Sequence, residues 1–173
     1  MAMGANAKIL EVTRTQLIQA PPARVMQAFF TDADLTGWWS VTRAFAVPRP
    51  LGMYAIEWPS TDFKDEILGR LGGEFHGTVM DFRPGASFFL AEVYWQPPDG
   101  DPIGPMALEV QCRPHGNGRQ TMLTVKQSGE GEGPRFERYF AIMERGWEGA
   151  LLEMKNYIDL EIERTKTSRL SRT

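Results

Sequence analysis

A helical repeat of apolar residues runs through the C-terminal part of the chain. Over residues 135–164, apolar side chains recur every three or four positions, and charged side chains such as Glu144 and Glu148 lie between them. The stripe consists of Phe136, Phe140, Met143, Trp147, Leu151, Met154 and Ile158. A glycine-rich loop that ends in Pro134 precedes it, and proline is favoured in a first helical turn. The pattern predicts one long helix, which needs a broad apolar surface to lie on.

Alternating apolar and polar residues, separated by turn-forming residues, predict strands in the rest of the chain. The predicted strands cover residues 8–19, 43–48, 51–58, 73–82, 87–95, 106–113 and 121–125. Residues predicted to face inward are Tyr54, Ile56, Trp58, Phe89, Ala91, Val93, Trp95, Met106, Leu108, Val110, Cys112, Thr121, Leu123 and Val125. Most of the turns are short, which favours an antiparallel meander over parallel strands with crossover helices.

Two short helices are predicted directly after the first strand. Pro21 and Pro22 end that strand and open a helix whose apolar residues recur at helical spacing. Thr31 and Asp32 can cap a second helix, which ends near Gly37. Two helices in this position are uncommon in an antiparallel meander, so they restrict the topology.

Three segments lie outside the predicted meander. Residues 59–72 form a long connection with a candidate helical turn at 65–71, and we interpret the connection as a lid or a partner surface. Residues 1–7 are predicted to be disordered, as is the polar and basic tail at 165–173. A single domain is therefore predicted over residues 8–164.

Composition favours a soluble protein of a reducing compartment. The net charge of −3 argues against a nucleic-acid or anionic-membrane partner. No apolar run approaches the roughly 20 residues of a membrane span, and the first residues lack the features of a signal peptide. Cys112 is the only cysteine, so no intrachain disulfide can form. We expect a cytoplasmic protein that is either a monomer or a homodimer.

Few residues have the arrangement that catalysis or metal binding requires. His115 belongs to a turn sequence and is expected in solvent, whereas His76 alternates with Glu74 and Thr78. That set could transfer protons if it faced a cavity, but the opposite phase of the strand is the more apolar one. No cluster has metal-ligand spacing, and the chain has no nucleophile motif or phosphate-binding glycine loop. We predict no catalytic residue, no metal and no cofactor.

Four motifs follow one another between Ile18 and Asp159. They are Ile18-x-Ala20-Pro21 with Thr31-Asp32 and Trp38-Trp39; Gly77-x-Val79 with Pro84 and Trp95; Thr121-x-Leu123-x-Val125-x-x-Ser128-Gly129; and Gly146-Trp147-x-x-x-Leu151-x-x-Met154-Lys155-x-x-Ile158. This order resembles the START-like (SRPBCC) superfamily and, within it, the Aha-type activators of a heat-shock chaperone ATPase. The resemblance implies an α+β helix-grip fold. In that fold a curved antiparallel sheet of six or seven strands carries two short helices after strand one and a long C-terminal helix across the sheet.

The resemblance also implies a cavity between the sheet and the long helix, because members of the superfamily bind lipids, sterols and polyketides. We predict that this protein binds a small apolar or amphipathic molecule there, with tryptophans forming part of the wall. The candidate ligand-binding residues are Trp39, Tyr54, Ile56, Trp58, Phe89, Val93, Trp95, Leu108, Val110, Leu123, Met143, Trp147 and Leu151.

Two other functions are compatible with the sequence. An interaction module resembling a chaperone ATPase activator would use an exposed apolar patch to contact a chaperone. A cyclase- or hydrolase-like enzyme would need ionisable groups such as Arg14, Glu74, His76 or Glu92 inside the cavity. The cavity volume, the surface and the placement of these groups distinguish the three functions.

Overall fold

A seven-stranded antiparallel sheet forms one layer of the computed structural model, which describes residues 6–172. In chain order the strands are β1 Lys8–Ile18, β2 Arg43–Ala46, β3 Met53–Trp58, β4 Lys64–Asp65, β5 Gly69–Arg70, β6 Gly73–Arg83, β7 Ser87–Gln96, β8 Ile103–His115 and β9 Gln120–Gly131. The large sheet has the order β1-β9-β8-β7-β6-β3-β2, and β4 pairs with β5 in a separate hairpin. The predicted antiparallel meander is confirmed.

Three helices are described within residues 6–172: α1 Pro22–Gln27, α2 Asp32–Trp39 and α3 Gly133–Leu170. The second short helix ends at Ser40, whose φ of 57° places it in the left-handed region typical of helix ends. The long helix packs on the sheet through Phe136, Tyr139, Phe140, Trp147, Leu151, Met154 and Ile158. The predicted α+β helix-grip architecture is therefore confirmed, and we call the face of the sheet that points toward α3 the inner face.

The long helix extends further than the sequence pattern predicted. It has 38 residues, or about 57 Å at 1.5 Å per residue, and it continues through Leu170. The disorder predicted from Thr165 onward is thus wrong for residues 165–170. These residues contain no glycine or proline, and the hydroxyls of Thr165 and Thr167 donate to backbone carbonyls four residues earlier, both at 3.0 Å. The disorder predicted for residues 1–5 lies outside the described residues.

One extra residue in β7 changes which side chains face inward. Leu90 pairs with Leu108 and Val93 with Met106, so β7 advances three residues while β8 advances two. This bulge contains Glu92, whose φ is 51°. The adjacent strand β6 has a glycine beside the bulge, at position 77, where a Cβ atom would lie only 2.8 Å from a methyl carbon of Val93.

The bulge makes the prediction for Phe89 wrong. Phe88 and Leu90 are the buried residues before the bulge, whereas Val93 and Trp95 are buried after it. Phe89 is half-buried on the outer face of the sheet. An uninterrupted alternation in the sequence predicts Phe89 on the same face as Val93 and Trp95, and the bulge interrupts that alternation.

The connection at residues 59–72, which we call the lid segment, contains a small hairpin in place of the predicted helical turn. The Asp65 carboxylate accepts hydrogen bonds from the backbone N–H groups of Ile67 and Leu68, at 3.1 and 3.0 Å. Gly69 follows with a φ of 78°. An aspartate that binds N–H groups two and three residues later is typical of a tight turn, so β4 and β5 pair instead of continuing as a helix.

The C-terminal half of α3 is held against α1 and α2 through a buried carboxylate. Arg24 donates two hydrogen bonds to Asp34, both 2.9 Å, and the Tyr157 hydroxyl donates a third at 2.9 Å. Arg24 also pairs with Glu161 at 3.0 Å. Gly37 permits this approach, because a Cβ atom there would overlap the Tyr157 ring.

Candidate functional site

A cavity of about 360 Å³ lies between the inner face of the sheet, the N-terminal half of α3 and the lid segment. The sheet contributes Trp58, Phe75, Trp95 and Gln127, and α3 contributes Tyr139, Ile142, Met143, Gly146, Trp147 and Ala150. The lid segment and the end of α2 contribute Pro59, Thr61, Leu68, Leu71, Gly72, Trp39 and Ser40. Small-molecule sites in proteins have volumes of roughly 300–1,000 Å³, so this cavity suits a small ligand.

Aromatic rings at the wall are held by hydrogen bonds to backbone carbonyls. The Trp58 indole N–H donates to the carbonyl of Trp39 at 3.1 Å, and the Trp95 N–H donates to the carbonyl of Gly72 at 2.8 Å. The Trp39 ring lies 5.1 Å from that of Trp58 and 5.2 Å from that of Trp147, measured between centroids. These contacts fix large rigid side chains around the space.

One buried amide joins two other side chains of the wall through hydrogen bonds. Gln127 is 0% exposed on β9. Its Oε1 accepts from the Trp147 indole N–H at 2.8 Å, and its Nε2 donates to the Tyr139 hydroxyl at 2.8 Å and faces Met106 Sδ at 3.5 Å. Burial raises the pKa of Tyr139, while the hydrogen bond from Gln127 acts in the opposite direction. The phenol therefore stays neutral at physiological pH.

Two ion pairs fasten the lid segment to its surroundings. Arg138 of α3 donates to Asp65 Oδ1 at 2.9 and 2.6 Å, and this hydrogen bonding lowers the pKa of the Asp65 carboxyl to about 2. Arg70 donates to both carboxylate oxygens of Asp99, each at 2.9 Å. Leu68, which is 3% exposed, lines the cavity from the lid side. The hairpin is thus anchored both to α3 and to the connection after β7.

Five of the predicted ligand-binding residues line the cavity, namely Trp39, Trp58, Trp95, Met143 and Trp147. Seven others belong to the buried core outside the wall: Tyr54, Ile56, Val93, Leu108, Val110, Leu123 and Leu151. Phe89 is on the outer face, as described above. Apart from Phe89, the predicted residues therefore belong either to the core or to the cavity wall, and the sequence pattern does not separate the two.

Several wall residues were not among the predicted ones. Gln127 continues the inward phase of Leu123 and Val125. A polar residue at an inward position of a strand was therefore the sequence feature that could have indicated its place in the wall. Tyr139 lies beside the apolar stripe of α3 and is only 2% exposed. No periodic pattern marks Leu68, because the lid segment reaches the cavity through a turn.

The ionisable candidates lie away from this cavity. Glu74, His76 and Glu92 border a hollow on the outer face of the sheet, where the His76 ring stacks on Tyr94 at 5.7 Å. The hollow has the larger volume, about 490 Å³, but several of its bordering residues are exposed, so it encloses a ligand less completely. Arg14 donates to the carbonyl of Thr13 at 2.9 Å and does not line either space.

Residues 6–172 contain neither a cluster of metal ligands nor a helix that could span a membrane. No three His, Cys, Asp or Glu side chains there lie close enough to hold a metal ion. In the same part of the chain, no helix has the length and apolarity required to cross a bilayer. The single thiol is buried, and burial raises the pKa of Cys112 to about 12, which disfavours the reactive thiolate.

Solved structures with this fold have low sequence identity to the chain. Protein SA2116 of Staphylococcus aureus has a TM-score of 0.67 at 16% identity, covering 91% of this chain and 98% of its own. MLL2253 of Mesorhizobium loti has a TM-score of 0.62 at 20% identity, covering 88% and 97%. The Aha1 dimer of Colwellia psychrerythraea has a TM-score of 0.55 at 17% identity, covering 86% and 96%. These likenesses demonstrate a shared fold.

Sequence comparison gives the family directly. Among curated proteins, none matches the chain significantly. The profile of the family described as "Activator of Hsp90 ATPase homolog 1-like protein" matches residues 19–159, which include α1, α2, all strands from β2 to β9 and most of α3. Because this match covers well over half of the sequence, the chain belongs to the activator of Hsp90 ATPase homolog 1-like family.

Proposed function

We propose that the protein binds a small apolar or amphipathic molecule in the cavity between α3, the sheet and the lid segment, and that it does so without catalysis. The observation that carries this proposal is the composition of the wall. It is built mostly from aromatic and aliphatic side chains, with Ser40, Thr61 and the buried amide of Gln127 among them, and none of its residues is Asp, Glu, Lys, Arg or His. Such a wall favours transfer of an apolar surface out of water.

The absence of these charged side chains from the wall also argues for binding over acid–base chemistry. General acid–base catalysis needs a group that gains and loses a proton near the operating pH. The titratable side chain in the wall is Tyr139, whose pKa is raised further by burial. A phenol in that environment supplies a hydrogen bond but is a poor proton acceptor or donor in turnover at neutral pH.

Two alanines of α3 provide a matched test. Ala150 lines the cavity, whereas Ala141 is exposed on the same helix. Ala150→Phe should fill part of the cavity and weaken binding of the neutral dye N-phenylnaphthylamine by roughly tenfold or more, while Ala141→Phe should leave it within about twofold. Dye fluorescence measures binding, and circular dichroism checks that both variants fold.

If the two variants bind the dye equally, or if the wild-type protein does not bind it at all, the cavity proposal is wrong. Native mass spectrometry of freshly purified protein adds an independent measurement. A retained small molecule should be present in the wild-type protein and reduced by Ala150→Phe.

A second candidate is interaction with a chaperone, as the family description suggests. The outer face around β2 and β3 exposes apolar side chains, with Phe45 60% and Met53 55% accessible. Exposed apolar patches of this kind are typical of protein-binding surfaces. ATP hydrolysis by a purified Hsp90-type chaperone should then rise when the protein is added. The rise should disappear with Phe45→Ser/Met53→Ser but persist with Leu160→Ser, which alters an exposed leucine of α3.

A further inference from the structure

The hydrogen bonds around Gln127 have only one consistent direction. An indole N–H is a donor and never an acceptor, so the atom that faces Trp147 Nε1 at 2.8 Å must be the amide oxygen of Gln127. The amide nitrogen then faces the Tyr139 hydroxyl at 2.8 Å. Since an amide NH₂ group only donates, the Tyr139 oxygen is the acceptor in this contact. Trp147 thereby determines the role of Tyr139 through an intermediate residue.

The phenolic proton of Tyr139 is consequently available. Among residues 6–172, no side chain or carbonyl accepts a hydrogen bond from this hydroxyl. The residue is 2% exposed and lines the cavity. Buried hydroxyl groups ordinarily have a partner for their proton, because an unmet donor in an apolar site costs free energy. A ligand atom in the cavity is the partner that the geometry provides for.

We infer that the Tyr139 hydroxyl is the hydrogen-bond donor that selects the ligand, and that the ligand is a neutral, largely apolar molecule with an acceptor oxygen such as a ketone carbonyl. The inference rests on the proposed function and specifies the ligand class. A carboxylate would find no Lys, Arg or His in the wall, and an ammonium group would find no Asp or Glu. Burying either charge without a partner is costly, so a neutral acceptor is favoured.

Benzophenone and diphenylmethane are suitable probes, because they have the same two rings and differ in whether a carbonyl or a methylene group joins them. The wild-type protein should bind benzophenone more tightly. Tyr139→Phe should reduce benzophenone affinity by about three- to tenfold, the range expected for one neutral hydrogen bond, and should leave diphenylmethane within about twofold. Displacement of N-phenylnaphthylamine measures both affinities.

A second variant keeps the Tyr139 side chain but prevents its hydroxyl from donating to the ligand. In Gln127→Glu, the introduced carboxylate, when ionised, accepts from both the Trp147 N–H and the Tyr139 O–H, which turns the phenolic proton away from the cavity. The preference for benzophenone should therefore disappear in this variant as well. Gln127→Glu also guards against compensation, because in Tyr139→Phe the freed Gln127 NH₂ group can itself donate to the ligand.

Infrared spectroscopy of the bound ketone tests the contact directly. The carbonyl stretch of benzophenone should lie at lower frequency in the wild-type complex than in the Gln127→Glu complex, since a donated hydrogen bond weakens the C=O bond. Thermal unfolding checks that each variant is folded. A Tyr139→Phe variant that fails to fold leaves the comparison to Gln127→Glu and the wild-type spectrum.

The outcomes separate the two proposals. If neither probe binds the wild-type protein, the cavity-binding function itself fails. If both bind with equal affinity, the assignment of Tyr139 as the selecting donor is wrong while the binding function stands. The same conclusion follows if a folded Gln127→Glu variant keeps the full preference and the unchanged carbonyl frequency at a pH at which its infrared spectrum shows an ionised carboxylate. Equal losses for both probes in Tyr139→Phe, together with an unchanged preference in Gln127→Glu, would likewise show that the ring acts only by packing.

Discussion

The two halves of α3 bury the same kind of apolar stripe against different surroundings. From its midpoint onward, in the part that we call the C-terminal half, Leu151, Met154 and Ile158 are at most 1% exposed and pack into the core. In the N-terminal half, Tyr139 and Trp147 are also buried, yet a cavity of about 360 Å³ lies beside them. An apolar helical stripe thus does not determine whether the helix closes onto the sheet or leaves space beneath it.

Different interactions fix the side chains around the two halves of α3. Near the C-terminal half, the Arg24–Asp34 pair and Tyr157 draw α1, α2 and α3 together. Near the N-terminal half, Trp58 and Trp95 are fixed at the wall by hydrogen bonds to backbone carbonyls. Rigid rings held in this way do not collapse into the adjoining cavity. Around the C-terminal half, close packing of the described side chains leaves no comparable space.

Truncation of the apolar stripe should lower the stability most in the C-terminal half, where α3 packs directly against the core. Leu151→Ala should lower the free energy of unfolding by about 3 kcal/mol, because it creates a new void in packed surroundings. Met143→Ala should cost about 1 kcal/mol or less, since Met143 is half-buried and borders existing space. Urea unfolding followed by circular dichroism measures both. Equal losses would mean that the two halves are packed alike.

Removal of the buried carboxylate should have the next largest effect. Asp34→Ala leaves Arg24 and Tyr157 without their common acceptor and should cost about 2 kcal/mol, less than for a fully buried ion pair because Arg24 is partly exposed. Glu161→Ala removes the exposed partner of the same arginine and should cost less than about 1 kcal/mol. If the two substitutions lower the free energy of unfolding equally in urea, the Asp34 contacts do not hold the C-terminal half of α3 against α1 and α2.

Glycines in the middle of α3 should permit stabilisation. Within residues 6–172, and apart from the adjacent residues and the local helix backbone, no atom lies within 4 Å of a Cβ placed on Gly149. Gly149→Ala should therefore raise the free energy of unfolding by up to about 1 kcal/mol through helix propensity alone. Gly146→Ala should give a similar gain, because its Cβ would be 3.4 Å from Met143 Cε, an ordinary contact. A loss of stability at position 149 would show that α3 approaches a neighbour more closely there.

The lid segment should respond to acid with the smallest effect on global stability. The pKa of Asp65 is lowered to about 2, so the stabilisation from its bond to Arg138 is complete above the ordinary carboxyl pKa near 4 and is lost as the pH falls toward 2. Hydrogen-exchange protection of the Leu68 amide, corrected for the intrinsic rate, should decrease over that range. Asp65→Asn should abolish this dependence, whereas Asp62→Asn, at an exposed position of the same segment, should retain it.

The fold was predictable because its signals are local and repeated. The stripe that includes Phe136 and Ile158 predicts a helix by itself, and the alternation of Leu123 and Val125 predicts a strand. The order of these elements, with two short helices after β1, then leaves few topologies. Five residues of the cavity wall followed from the same patterns, because large aromatic residues on the inner face and on α3 meet wherever the helix crosses the sheet.

The rest of the site depends on a bulge, a turn and a long-range contact, none of which a periodic sequence pattern predicts. The bulge at Glu92 exchanges the faces of β7, so the alternation pattern predicts the wrong face for Phe89. The lid hairpin brings Leu68 to the cavity through the hydrogen bonds of Asp65, which are specific to that turn. Gln127 was visible as a polar residue in an inward phase, but its role depends on Trp147, a neighbour 20 residues away in sequence.

The bulge in β7 also determines how this chain should be aligned with its relatives. Removal of Glu92 would give a regular strand in which Val93 and Trp95 keep the inner face, so a relative with a straight β7 is one residue shorter there and has the same wall. In an alignment with a relative of that kind, omission of the single gap would pair Trp95 with an outward position. Position 77, which has no room for a side chain beside the bulge, should accept larger residues in the relatives that carry the gap.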